Sequence, residues 1–181
     1  MINFKLNNKE ISYAGDENQS LLTWLREDQN IVSAKNGCSG QGACGACLLE
    51  VNKKPALACR MPMKKLDKAD IVTIEGFDPR LKDTLAKAFV KKGAIQCGFC
   101  TPGFLSRTKI LLEHNKKPSR DEIKKALGFN LCRCTGYAKI IEAVVLAAEA
   151  LNENKVIELD EHCGVGQRQS RHNAISTALG Q

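Results

Sequence analysis

Ile2, Phe4 and Leu6 alternate with polar residues, the period of a strand with one face buried. Asn7-Asn8-Lys9 has the composition of a turn, and Ile11 to Tyr13 would return as a second strand. Ser20 precedes a short apolar run, Leu21, Leu22, Trp24 and Leu25, which predicts a capped helix with Trp24 in the core. A strand is expected over Cys47 to Val51 and a turn over Asn52 to Pro55. Ala56 to Ala58 then leads into Cys59, and Ile71 to Ile74 reads as a last strand. The first part of the chain is therefore a small mixed sheet with a helix laid across it.

Beyond Gly76 to Arg80 the period changes. Leu81, Leu85, Ala88 and Phe89 recur at helical spacing after Asp78-Pro79, an N-cap followed by a proline suited to the first turn. Thr101-Pro102 opens a second helix carrying Phe104, Leu105 and Ile110. Ser119-Arg120-Asp121-Glu122 is a capping box for a third. Thr135 is placed to cap a fourth, through Ile140, Val144, Ala148 and Leu151. Four short helices with short connections predict a four-helix bundle. The expected fold class is α+β: a sheet domain over residues 1–76, a helical domain over residues 77–155 and an extended tail over residues 156–181. Residues 162–181 show no periodicity and read as a tail running over the surface.

A chain of 181 residues has room for one domain or two small ones. Its net charge of +7 includes lysine pairs scattered along the chain, several of them beside acidic residues. With no concentrated basic or aromatic cluster, that pattern is a solvated surface and argues against nucleic-acid binding. The stretch Met1-Ile2-Asn3-Phe4-Lys5 has no signal-peptide core, and no apolar run approaches the roughly 18 residues of a membrane span. The expectation is a cytoplasmic chain kept in a reducing compartment. There its nine cysteines serve as metal ligands more readily than as disulfides.

The cysteines fall into two sets. Asn36-Gly37-Cys38-Ser39-Gly40-Gln41-Gly42-Ala43-Cys44-Gly45-Ala46-Cys47 holds three thiols and four glycines in twelve residues, and Cys59 follows after a gap of eleven. A loop so rich in glycine cannot pack a core of its own. It can fold around an object and turn backbone N–H groups inward. Its spacing, Cys-x5-Cys-x2-Cys-x11-Cys, has one residue more in the first gap than the plant-type ferredoxin run that holds a [2Fe–2S] cluster. The second set lies in Gln96-Cys97-Gly98-Phe99-Cys100-Thr101-Pro102-Gly103 and in Leu131-Cys132-Arg133-Cys134-Thr135-Gly136, just before the second and fourth predicted helices. Two helix N-termini facing each other would surround four thiolates with free N–H groups and stabilise the negative charge of a cluster. Tetrahedral zinc is a competing reading of the second set, and disulfides or thiols buried as small hydrophobes are a third. The glycine loop fits zinc poorly. Cys163 lies outside both sets and is expected to be a free thiol; His114, His162 and His172 read as surface residues.

Three stretches together resemble the iron–sulfur subunit, or N-terminal iron–sulfur part, of the molybdenum hydroxylases, which include xanthine dehydrogenases and aldehyde oxidoreductases. They are Gly37-Cys38 with Cys44-Gly45-Ala46-Cys47, then Gln96 through Gly103, then Cys132-Arg133-Cys134-Thr135-Gly136-Tyr137. The resemblance covers residues 1 to about 155 and implies a plant-ferredoxin-like β-grasp domain followed by a four-helix bundle. It implies two [2Fe–2S] clusters, one on Cys38, Cys44, Cys47 and Cys59, the other on Cys97, Cys100, Cys132 and Cys134. It also implies a molybdenum-binding partner subunit with molybdopterin beside Gln96 and Cys134, and FAD in another subunit. The family's oxidative hydroxylation of purines, aldehydes or N-heterocycles would occur on the molybdenum partner. This chain would relay single electrons and hold no catalytic residue. Gly164-Val165-Gly166-Gln167 and Thr177-Ala178-Leu179-Gly180 are similar to the opening of the family's molybdenum subunit, so the tail is expected to dock on that subunit or lead into it. The alternative is a free-standing two-cluster ferredoxin-type carrier.

Overall fold

A computed structural model describes residues 1–159, 165 and 169–181. Cys163, expected to be a free thiol, and His162 lie outside the described residues. Strand β1 (Ile2–Leu6) turns at Asn7 and Asn8, both at positive φ, into antiparallel β2 (Lys9–Tyr13), with Phe4 opposite Ile11. The hairpin of β3 (Leu48–Val51) and β4 (Lys54–Leu57) turns likewise at Asn52 and Lys53. Strand β5 (Asp70–Val72) joins the two hairpins, parallel to β1 and antiparallel to β3. The result is one mixed sheet in the order β2-β1-β5-β3-β4.

Helix α1 (Leu21–Thr23) begins where the Ser20 hydroxyl accepts the Thr23 N–H at 3.1 Å, and it widens into a π-helical turn over Trp24–Asp28. Phe4 and Tyr13 meet Trp24 edge-on, with ring centroids 5.3 and 6.1 Å away. Trp24 is thus a core residue of the sheet half, as its place in the apolar run predicts.

The other half is helical: α2 (Pro79–Lys91) capped by Asp78, α3 (Thr101–His114), α4 (Arg120–Leu127) and α5 (Tyr137–Asn152). The predicted capping box on α4 is present, with Ser119 and Glu122 bonding each other's backbone N–H groups. Helix α2 packs chiefly on α5, and both share a core with Phe104, Leu105 and Ile123. A separate apolar core lies under the sheet.

Three expectations need correction. The last strand stops at Val72, because the Thr73 N–H donates to Asn7 Oδ1 at 2.9 Å instead of continuing the ladder; Ile74 then enters a 3-10 turn and the helical core. Thr135 does not cap α5. It sits at φ 58° in a turn closed on the Cys132 carbonyl, and Gly136 is the residue before the helix. The described end of the tail is not extended: residues Ala174–Leu179 form a further helix, α6, with Ala174 and Ala178 buried.

The two halves are joined at a charged seam. Lys109 of α3 reaches Glu50 of β3 at 2.5 Å, with both side chains more than nine-tenths buried, and Glu113 at 2.7 Å. That seam seats α3 on β3, the elements that follow Cys100 and Cys47.

Candidate metal centres

The eight described cysteines are all free thiols, which removes the disulfide reading for them. In the first set Cys44 and Cys47 are buried, and Cys38 and Cys59 are partly exposed. The Ala46 N–H donates to the Cys44 sulfur at 3.5 Å. Burial pushes Cys38 up, but the N–H groups of Ala43, Cys44 and Gly42 and the Cys44 thiol outweigh it and bring it down to about 7. The glycine loop thus turns its N–H groups onto sulfur, as its composition predicts. Cys47 has less compensation and is pushed up to about 12 by burial.

The second set repeats the arrangement. Cys97 and Cys100 precede α3, and Cys132 and Cys134 precede α5. Cys132 lies beside Cys100, and Cys97 beside Cys134. Burial, with Cys132 alongside, pushes Cys100 up to about 12. The Gly136 N–H points at the Cys132 sulfur at 3.5 Å.

Each set therefore offers four free thiols. A [2Fe–2S] cluster has two irons and four cysteine ligands, whereas structural zinc needs four ligands around one point. The all-thiol donor sets, with the Ala46 and Gly136 N–H groups directed at the Cys44 and Cys132 sulfurs, fit such a cluster.

Hydrogen bonds connect the sets. The Leu131 N–H donates to the Cys44 carbonyl at 2.8 Å, one residue from Cys132. Asn130 Nδ2 donates to the Gly45 carbonyl at 3.0 Å. Tyr137 fixes the second loop: its hydroxyl accepts the Cys132 N–H at 2.9 Å and donates to the Asn130 carbonyl at 3.2 Å. Sequence reasoning assigns Asn130 and Tyr137 no role. Only the position of Tyr137, at the end of the second motif, could have signalled it. Gln96 is exposed, and its amide nitrogen lies 4.0 Å from where a Cβ on Gly136 would sit. That places it beside the Cys132–Gly136 turn.

Gly45 has φ +68°, and a Cβ there would lie 2.6 Å from the Phe129 carbonyl oxygen, a backbone atom that cannot swing aside. Gly45→Ala is expected to force the two loops apart, with left-handed strain alone costing about 1–2 kcal/mol. Urea unfolding should show at least that loss. An unchanged midpoint would mean that this contact does not hold the loops together.

The family model described as "2Fe-2S iron-sulfur cluster binding domain" matches residues 4–64, and that described as "[2Fe-2S] binding domain" matches residues 73–145. Fold and thiol layout together define a two-domain 2Fe-2S iron–sulfur protein. The chain is 44% identical over 149 residues to the nicotinate dehydrogenase small FeS subunit of Eubacterium barkeri, covering 82% of this chain and 94% of the relative. The structure of quinoline 2-oxidoreductase from Pseudomonas putida matches with a TM-score of 0.77 at 35% identity, covering 86% of this chain and 97% of that one. Aldehyde oxidoreductase from Desulfovibrio desulfuricans matches with a TM-score of 0.90 at 32% identity, over 99% of this chain and 21% of that longer one. The chain belongs to the iron–sulfur subunits of the molybdenum hydroxylase family. Its role is electron transfer within an oxidoreductase.

Proposed function

We propose that the chain carries one [2Fe–2S] cluster on Cys38, Cys44, Cys47 and Cys59 and a second on Cys97, Cys100, Cys132 and Cys134. It would relay single electrons from a molybdopterin-bearing subunit to an FAD subunit or another acceptor. The observation that carries this reading is that four free thiols fall within each matched 2Fe-2S domain, Cys38, Cys44, Cys47 and Cys59 in the first and Cys97, Cys100, Cys132 and Cys134 in the second. One-electron redox chemistry is what the clusters supply when bound. The protein supplies sulfur, N–H groups aimed at sulfur, and burial that keeps water from Cys44, Cys47 and Cys132.

In this reading residues 1–76 are a ferredoxin-like β-grasp domain, residues 77–155 a four-helix bundle and residues 156–181 a tail that docks on the molybdenum subunit or leads into it. The molybdenum subunit adjoins the second set, with molybdopterin beside Gln96 and Cys134. The exposed Gln96 amide, which both donates and accepts, suits the mixed edge of a pterin. We place the assembly in the cytoplasm, where free thiols persist. No helix among the described residues is long and apolar enough to cross a membrane. A free-standing carrier is not favoured, since the relatives are parts or subunits of oxidoreductases.

Metal analysis and EPR test the assignment. The purified protein should hold about four irons and, once reduced, show two distinct spin signals. Stoichiometric zinc with no iron would overturn it.

A further inference from the structure

The described end of the chain touches both cysteine sets. On the helical side, Ala174 and Ala178 of α6 are buried in the helical core, and the helix lies against α2 and α3. Thr177 sits directly on the Cys97–Cys100 turn. Gly98 has φ +82°, and a Cβ there would lie 2.1 Å from the Thr177 methyl carbon. No other residue type would admit Thr177 so closely. The Arg171 guanidinium donates to the Gln96 carbonyl.

On the sheet side, Gly180 lies against Ser33 and Pro102, where a Cβ would come within 2.8 and 2.9 Å of them. The Lys35 ammonium donates to the Gly180 carbonyl at 2.7 Å. The Lys35 N–H in turn donates to the Ala46 carbonyl at 3.1 Å, between Cys44 and Cys47. One short segment is thus fastened at three points: to the backbone before Cys97, to the glycine after it, and to the lysine that holds the first loop.

We propose that residues 169–181 form a clasp that positions the Gln96–Gly98 loop and links it to the first cysteine loop. Arg171 and Thr177 are its positioning residues. The clasp rests on the reading of Cys97 and Cys134 as cluster ligands. Cys97 is exposed, so the ordering of its loop depends on what lies across Gly98. Removing the clasp frees the loop and opens the second centre to water and chelators. Partners that orient metal ligands from outside the ligand set have effects of this kind.

The test compares the cluster-loaded unmodified chain with a deletion of residues 169–181 and with Arg171→Met, Arg171→Lys and Thr177→Gly. The readouts are the EPR signals and the rate of iron loss to a chelator. The deletion should change the shape of one spin signal and speed iron loss from that centre about 10–100-fold, with the other signal retained. Arg171→Met and Thr177→Gly should act in the same direction, and Arg171→Lys should restore part of the loss. The point variants decide the matter if the deletion does not fold. Two signals that are present but indifferent to every variant would overturn the clasp alone. A single signal in the unmodified protein would overturn the ligand assignment beneath it.

Discussion

Cys59→Ser is expected to abolish one spin signal, to remove about half of the iron, two of four atoms, and to leave the other signal largely intact. Cys59 sits in the 3-10 turn Ala58–Arg60 that follows β4. It lies beside Cys47. A serine oxygen is harder and less suited to iron in a sulfide cluster, and the lesion removes one of four proposed ligands. The damage should stay local because the other set stands on α3 and α5, whose core is separate from that of the sheet. EPR and iron analysis provide the measurement, and circular dichroism checks that the helices persist. Loss of both signals with the helices intact would mean that the sets are not independent.

The two 2Fe-2S domains were legible because the information in their cysteine motifs is local. Spacing along a short loop places thiols whatever the rest of the fold does. The same holds for the Ser119–Glu122 capping box and for the alternation of Ile2, Phe4 and Leu6. Thr135 misled because a threonine before an apolar run has the chemistry of a cap. The Cys132–Thr135 turn instead puts it in the left-handed region, and the neighbouring Tyr137 hydroxyl ties the loop down. Helix α6 escaped notice because its buried face, Ala174 and Ala178, is made of small residues. Their burial comes from close approach to the other helices rather than from apolar bulk. Glu50 and Lys109 are 59 residues apart, and no local pattern separates them from the charges on the solvated surface. What escaped the sequence is the set of contacts that hold the two halves together, which depend on tertiary geometry.

The largest loss of stability is expected at that seam. Lys109→Met should cost about 3–5 kcal/mol, because it leaves a buried carboxylate without its cation. Lys109 Nζ lies 2.5 Å from Glu50 and 2.7 Å from Glu113, and 5.9 Å from the centre of the Phe77 ring. The side chains of Lys109 and Glu50 are only 9% and 6% exposed, so water cannot replace the missing charge. Glu50 also cannot turn away, because its backbone is held between Pro55 of β4 and Val72 of β5. The reciprocal change should be milder. In Glu50→Gln the lysine keeps the half-exposed Glu113 carboxylate and the face of Phe77. The double variant Lys109→Met with Glu50→Leu removes both charges and fills the space with apolar side chains. It should recover most of the single loss, since such replacements of buried pairs are often neutral or stabilising by about 1–4 kcal/mol. Urea unfolding of the three variants distinguishes the causes. Equal losses in the two single variants, or a double variant no better than Lys109→Met, would show that the cost comes from disturbed packing of α3 on β3. The expected order, with Lys109→Met well below Glu50→Gln and the double variant, would assign it to the stranded carboxylate.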